Sequence, residues 1–327
     1  MSPRPRQDFF GCRILLIGIG FYDYEHSIAT RLRERGAELV VFQDQPPELQ
    51  SGLSRFIQRN ANAVLATHEQ RILDAARTPF DQVLVIKAVG LRMKFLKRLR
   101  QSLSHCEFIL YQWDSLARLE GIEERLPLFD RVLTFDRKDS QARPEMAFRP
   151  LFFRNLSTLA KTTPPDIDVV FVGWLHSDRL KLLRRMQADA KVLDLTTFVY
   201  LYTGWLTWLK LVMRGQARDV HPRALSYQRL QRFSQRARCI YDLPHSLQNG
   251  LTMRTIETLG IHKKLITTAQ DVVHYDFYNE SNVRVITLPE TGLDRNFIKS
   301  KPESIDPGVL RRYSLDTWLD DVFGIRC

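Results

Sequence analysis

The sequence holds four cysteines, Cys12, Cys106, Cys239 and Cys327, far apart in the chain. They form no C-x-x-C pair and no Cys/His spacing, so neither a disulfide scaffold nor a structural zinc site is expected, and a reducing compartment suits them. Cys106 and Cys239 sit at the edges of apolar runs and read as buried thiols. No apolar run reaches the roughly twenty residues that span a bilayer. The start, MSPRPRQDFFGCR, is basic but passes straight into a strand pattern without an apolar signal core, so a cytoplasmic protein is expected. Zinc-finger spacing, an RNA-recognition signature and a basic-leucine pattern are also missing, and no nucleic-acid partner is expected.

What is there is an ordinary globular composition. With 44% hydrophobic and 26% charged residues over 327 positions, the chain is long enough for two domains with separate cores. The formal net charge of +11 calls for an acidic partner, such as nucleotide phosphates or an anionic membrane surface. The clusters at Arg92–Arg100, Arg179–Arg185 and Arg229–Arg238 are interleaved with apolar residues, so each is first a solvated helix face.

Strand and helix patterns alternate along the chain. Ile14–Ile17 is a strand run followed by Gly18-Ile19-Gly20; Glu25–Arg35 is helical and stops at Gly36; Glu38–Phe42 is the next strand. A dinucleotide fingerprint would need a third glycine where Asp23 stands, so the motif is incomplete. Asp23, Glu25 and His26 are instead available for an acceptor. Val83–Lys87, Phe108–Tyr111 and Val132–Phe135 are further strands, ending near Asp114 and Asp136, while Asp44 follows the second strand. This predicts an α/β chain with parallel, doubly wound sheets, whose ligands gather at strand carboxyl ends. Polar residues to Pro164-Pro165 read as a linker, and Val169–Val172 opens a second series. Ser314–Phe323 reads as an amphipathic helix with Leu315, Trp318, Leu319 and Val322 inward.

The second series centres on residues 237–268. The run Cys239–Tyr241 ends in Asp242, a polar loop follows, and Asn249-Gly250 opens a helix whose Met253, Ile256, Leu259 and Gly260 share a stripe. Leu265-Ile266-Thr267 is the next strand. The loop-to-helix junction of such a unit favours phosphate. Arg254 in the first turn suits a diphosphate and Glu257 a ribose; the plainer alternative is that these two form a solvated i, i+3 ion pair.

The stretch GLTMRTIETLGIHKKLITT, with YDFYN at 275–279, resembles the donor-site signature of bacterial GT-B glycosyltransferases of capsule, exopolysaccharide, lipopolysaccharide and spore-coat synthesis. FILYQWDS (108–115), DRVLTFD (130–136) and DVVFVGWLHSDR (168–179) extend the resemblance over most of the chain. It implies two Rossmann-like domains facing across a cleft: an acceptor domain at 1–160, a nucleotide-sugar donor domain at 166–310, and a helix at 311–327 crossing back. It implies transfer of a sugar from a nucleotide sugar to a glycan or lipid-linked acceptor, with no cofactor and no metal. Gly173, His176, Arg179, Asp242, Asn249, Gly250, Thr252, Arg254 and Glu257 are the implied donor-binding residues. Many retaining members carry a glutamate eight positions before the acid that Glu257 matches; here Asn249 stands there, which favours inversion. Inversion needs a general base in the acceptor domain: Asp114 is the first choice, with Asp23 and His26 second, although Asp-Ser before Leu116 is also good capping chemistry.

Residues 198–213, FVYLYTGWLTWLKLVM, read either as an interfacial helix giving peripheral contact with the inner face of the cytoplasmic membrane or as a buried core helix. Two alternatives to the enzyme stay open: a catalytically degenerate GT-B module that binds a nucleotide or glycan, and a basic nucleic-acid binder.

Overall fold

The computed structural model describes residues 8–20, 24–46, 49, 61–154, 164–176, 178–245 and 248–324. Two compact units divide the chain: Met1–Pro150 with Leu315–Cys327, and Leu151–Ser314.

In the first unit, β1 (Arg13–Gly18), α1 (Tyr24–Glu34), β2 (Glu38–Gln43), α2 (Ala61–Ala75), β3 (Gln82–Ile86), α3 (Met93–Ser102), β4 (Glu107–Gln112), β5 (Arg131–Thr134), α4 (Arg137–Ala142) and β6 (Met146–Phe148) follow in order. The strands form one sheet in the order β2-β1-β3-β4-β5-β6, every pair parallel. Strands buried on both faces explain the unbroken apolar runs: Leu15, Leu16 and Ile17 of β1 are fully buried, as are Val83 to Ile86 of β3. Strand order reverses between β1 and β3.

The second unit holds β7 (Ile167–Trp174), α5 (Arg179–Val192), β8 (Thr197–Tyr202), α6 (Trp205–Met213), β9 (Val220–His221), α7 (Tyr227–Arg236), β10 (Ala237–Asp242), α8 (Met253–Gly260), β11 (Lys264–Thr267), β12 (Val283–Val285), α9 (Arg295–Lys299) and α10 (Pro307–Arg312). Its sheet runs β12-β11-β10-β7-β8-β9, again all parallel. Counted from β7, this is the 3-2-1-4-5-6 order of the doubly wound Rossmann sheet, with its switch point between β7 and β10. Val169, Phe171, Leu183, Met186, Leu201, Cys239, Tyr241 and Ile266 lie in its core.

The last helix, α11 (Leu315–Phe323), belongs to the first unit. Leu315, Trp318, Leu319 and Val322 form its inward face, and the Trp318 and Tyr111 rings meet edge-on at 4.8 Å. Arg31 grips Asp316 at 2.6 and 2.9 Å, and buried Arg35 pairs with Asp320 at 2.5 Å.

Residues 198–213 are not a single helix. The first part is strand β8, an interior strand paired with β7 and β9, and Gly204 then opens the nine-residue α6. A β-branched and aromatic run, FVYLY, in which Val199 and Leu201 are buried and their neighbours half-buried, fits a pleated strand better than a helix. Among the described residues, no helix is long and apolar enough to cross a membrane.

Candidate functional site

The switch point of the second sheet gathers most of the residues expected at the donor site. Asp242 ends β10 and is fully buried. Its Oδ2 accepts from the Thr252 hydroxyl at 2.7 Å and the Thr255 hydroxyl at 3.0 Å, and its Oδ1 is bonded by the Arg254 guanidinium. Asp242 therefore holds the junction together from beneath, its oxygens already engaged by protein.

The helix begins three residues later than the periodicity suggests. Thr252, not Gly250, is the N-cap, and its hydroxyl accepts from the Thr255 amide at 3.2 Å. Arg254 is thereby the second helical residue. It reaches back across the strand ends to bond both Asp242 and the Val172 carbonyl, tying β10 to β7. It retains about a quarter of its side-chain exposure, 26%. Gly173 makes that reach feasible: a Cβ there would stand 3.1 Å from the Arg254 Nη2 and 3.0 Å from the Phe171 ring.

Arg179, the first residue of α5, points into the same place and is buried. It donates to the Trp174 carbonyl at 2.7 Å and to the Leu243 carbonyl, joining the loops that leave β7 and β10. Its Nε is buried without a hydrogen-bond partner among the described residues. Burial, then the neighbouring charge of Arg254, lower its pKa to about 10. Both guanidinium groups face Phe171, 5.5 and 4.9 Å from its ring centroid. Two cations against one carboxylate leave net positive charge at the strand carboxyl ends, beside a helix amino end.

His176 follows β7 and lies with its ring 5.3 Å from that of His245, in the loop after β10. Sequence reasoning passed over His245; its signal was a histidine three residues past the strand end, matching His176 two past the other. Trp174, half exposed, and Tyr202 meet edge-on at 5.3 Å at the same sheet edge. Burial pushes the Tyr202 hydroxyl up to about 12. Asn249 and Gly250 lie in the loop before Thr252, with the Gly250 carbonyl accepting from Gln248 at 3.2 Å.

Glu257 stands apart from this group, and it does not pair with Arg254. Its Oε1 pairs with Arg154 at 3.1 Å, its Oε2 accepts from Gln231 at 3.4 Å, and Arg154 lies 3.2 Å over the Tyr227 ring. The expected i, i+3 pair is replaced because each partner finds a more buried counter-charge. One turn on, Gly260 leaves room for Phe153, whose Cγ would lie 2.6 Å from an added Cβ.

In the first unit, the carboxyl edge is occupied differently from the expectation. Asp114 is bonded through Oδ2 to Lys87 at 2.5 Å and through Oδ1 to Arg118 at 2.8 Å. It is not a helix cap: the Leu116 amide donates to Asp139 instead, at 2.8 Å. Glu25 is not available to an acceptor, because it is buried and accepts from the Ile19 amide at 2.7 Å. Gly18 is required there, since a Cβ would collide with the Glu25 Cγ at 2.3 Å; this, not a dinucleotide, accounts for the first glycine of Gly-x-Gly. His26 is exposed on α1, with Thr30 Oγ1 at 3.5 Å. Asp23 lies outside the described residues. Asp44, not singled out as a base from sequence, is buried, accepts from the Gly90 amide at 3.2 Å, and is raised in pKa by its burial, with Lys87 opposing. Lys87 and Ala88 are both left-handed, with φ of 72° and 57°. Among the described residues no group of three His, Cys, Asp or Glu side chains is placed to hold a metal ion.

No family model and no curated protein sequence matches the chain. Solved structures do match over nearly all of it. AviGT4, a glycosyltransferase involved in avilamycin A biosynthesis, is 12% identical with a TM-score of 0.56, covering 96% of each chain. HepE of Anabaena, solved with UDP and glucose, is 11% identical with a TM-score of 0.60, covering 96% of this chain and 98% of its own. A UDP-forming trehalose-phosphate synthase from Burkholderia vietnamiensis is 10% identical with a TM-score of 0.60, covering 96% and 99%. The fold is GT-B. Two six-stranded parallel sheets in one chain, one of them in the doubly wound Rossmann order, are the GT-B pattern that the sequence resemblance implied.

Proposed function

We propose that the chain is a glycosyltransferase moving a sugar from a nucleotide-sugar donor to a glycan or lipid-linked acceptor in surface polysaccharide synthesis. The observation that carries this reading is the net positive charge that Arg179 and Arg254 leave over Phe171 after Asp242 pairs with Arg254, set at the switch point beside the amino end of α8. A leaving nucleoside diphosphate develops negative charge, and preformed cations and a helix amino end are what stabilise it. In this reading Arg254 and the segment from Asn249 through Gly250 to Thr252 receive the pyrophosphate. Arg179 and Gly173 shape its floor, and Asp242 fixes Arg254. His176 and Glu257 serve the rest of the nucleotide sugar. HepE was solved with UDP and glucose, which makes a uridine nucleotide the first donor to try.

The reaction forms a bond between the acceptor oxygen and the anomeric carbon as the bond from that carbon to the diphosphate oxygen breaks. The bonding pair leaves with the nucleoside diphosphate, whose charge Arg254 meets without a metal, and the acceptor proton passes to a carboxylate. Asn249, eight positions before Glu257, favours an inverting displacement in this reading. Asp114 is the base of this reading, and Asp44, on which Lys87 also acts, is the second carboxylate to test. A degenerate module that binds without turnover is favoured by one observation, that both Asp114 oxygens are held by cations.

Calorimetric titration with UDP, GDP, dTDP and CMP tests the donor site: saturable binding of one of them, weakened about tenfold or more in Arg254→Ala, is expected. Absence of binding to all four overturns the reading. Mass spectrometry of donor hydrolysis or transfer then separates the alternatives. Turnover lost in Asp114→Ala with binding kept identifies the enzyme and its base, whereas binding without turnover in the native chain identifies the degenerate module.

A further inference from the structure

Helix α6 buries none of its nine side chains fully. Trp208 and Leu211 rest partly on the second unit's core, and the Trp208 indole donates to the Val220 carbonyl at 3.1 Å. That anchor turns the rest of the helix outward. Trp205 is 62% exposed and Met213 72%, with Leu206, Leu209 and Val212 exposed between them. At 100° per residue these five fall within about 120° of arc, a single strip. A contiguous apolar strip rimmed by polar groups marks an interaction surface, unlike single exposed hydrophobics.

Its rim is cationic. Lys210 and Arg214 are exposed beside the strip, and the Arg218 side chain is 85% exposed just beyond the helix. The acid of this turn, Asp219, lies 3.8 Å from Arg218 and also accepts from Gln187 at 3.1 Å. A second copy of the chain is the poorer occupant of this face. One side of a nine-residue helix offers well under the ~800 Å² per partner of a stable interface. Face-to-face pairing would also bring Lys210 and Arg214 against their like charges. A surface both apolar at depth and anionic at its rim matches better. The helix, roughly 14 Å long, is too short to cross a bilayer but suits lying in its interface.

We propose that α6 docks the protein on an anionic lipid bilayer, with Trp205, Leu206, Leu209, Val212 and Met213 entering the headgroup–acyl boundary and Lys210, Arg214 and Arg218 meeting lipid phosphates. The strand part of the apolar run, β8, takes no part, because it is an interior strand of its sheet. This inference stands on α6 alone and does not depend on the reaction proposed above.

The test uses the full chain with vesicles of phosphatidylcholine, alone or mixed with phosphatidylglycerol, by co-sedimentation. Brominated acyl chains serve as a depth-sensitive quencher of tryptophan fluorescence. Binding to the mixed vesicles is expected, with quenching that falls in Trp205→Phe. Partitioning should drop roughly tenfold or more in the combined Leu206→Ser, Leu209→Ser, Met213→Ser variant, whose circular dichroism melt shows that it is folded. Binding without quenching, or equal binding by the combined variant, overturns the proposal by leaving net charge as the whole effect. Absence of binding, or a native dimer that the combined variant converts to monomer in light scattering, overturns it as well, the last in favour of a second copy.

Discussion

The guanidinium groups of Arg179 and Arg254 face one phenyl ring, Phe171, at 5.5 and 4.9 Å from its centroid, yet Arg254 alone of the two is bonded to Asp242. Among the described residues, Arg179 has two backbone carbonyls and a ring face. Backbone dipoles neutralise a buried guanidinium less completely than a carboxylate does; burial first, then the charge of Arg254, lower the pKa of Arg179 to about 10. Adding a dianionic diphosphate relieves the repulsion between the two cations. If the junction takes a diphosphate as proposed, it should be more stable with that anion bound.

That relationship predicts a specific pattern in thermal melts. UDP, or whichever nucleoside diphosphate binds, should raise the Tm of the native chain by linkage. In Arg254→Ala the shift should shrink as affinity falls about tenfold or more, as expected when a charge-assisted contact is lost. Asp242→Asn should behave differently. It strands Arg254 and should lower the Tm without nucleotide, by about 3–5 kcal/mol of stability for a broken buried pair. Equal Tm values for native protein and Asp242→Asn would show that the carboxylate does not organise the junction.

Gly173→Ala tests how tightly Arg254 is confined. The added methyl would stand 3.0 Å from the Phe171 ring and 3.1 Å from the Arg254 Nη2. Neither neighbour moves freely, since Phe171 is fully buried and Arg254 is bonded on two sides. Overpacking of this size costs about 1–3 kcal/mol. A denaturation midpoint lowered accordingly, together with weaker nucleotide binding, is the expected result; unchanged binding would detach Arg254 from the donor site.

Glu257 and Arg154 should be coupled. They pair at 3.1 Å with 14% and 7% side-chain exposure, and Arg154 also covers Tyr227. Burial, with the Glu257 charge second, raises the pKa of that tyrosine hydroxyl. A double-mutant cycle of Arg154→Ala and Glu257→Ala should give a coupling of about 1–3 kcal/mol. Additive losses would mean the pair is incidental. If Glu257 also serves the donor, Glu257→Gln will weaken nucleotide binding more than Arg154→Ala does.

The elements built on unbroken apolar runs were legible from sequence, because strands buried on both faces leave no polar interruption: β1, β3, β4, β7 and β10 fall where the runs do. The gathering of Gly173, Arg179, Asp242, Thr252 and Arg254 was also foreseeable, since a parallel sheet sends every strand's carboxyl end to one edge. What could not be read was the choice of partners. Arg254 turns from Glu257 to Asp242 across the sheet, and Asp114 is claimed by Lys87 from a different strand. Such pairings depend on which strands are neighbours, which no local spacing encodes. The apolar segment 198–213 misled for a related reason: strand and helix share its composition, and Gly204 was the mark of the break.

Asp168 offers a prediction about pH. It lies near the start of β7, 4% exposed, with Lys299 at 2.8 Å, Arg238 at 3.2 Å and the Thr196 amide and hydroxyl at 2.8 and 3.0 Å. Burial works to raise its pKa, but the hydrogen bonds and charge of Lys299, with those of Thr196, outweigh it, and the pKa falls below the ordinary value. A carboxylate depressed in the folded state adds stability above its unfolded pKa, about 3.9 for aspartate. That stability is lost as pH drops through the folded value. Asp168→Asn should therefore melt lower than the native chain at neutral pH. Because Lys299 and Arg238 keep some solvent, the loss should be about 1–3 kcal/mol, below that of a fully buried pair. Melts in steps from neutral pH downward should show the gap constant until roughly pH 4 and closing below it, as native Asp168 takes up its proton. A gap that stays open down to the lowest pH at which both proteins fold would assign the loss to packing or hydrogen-bond geometry instead of charge.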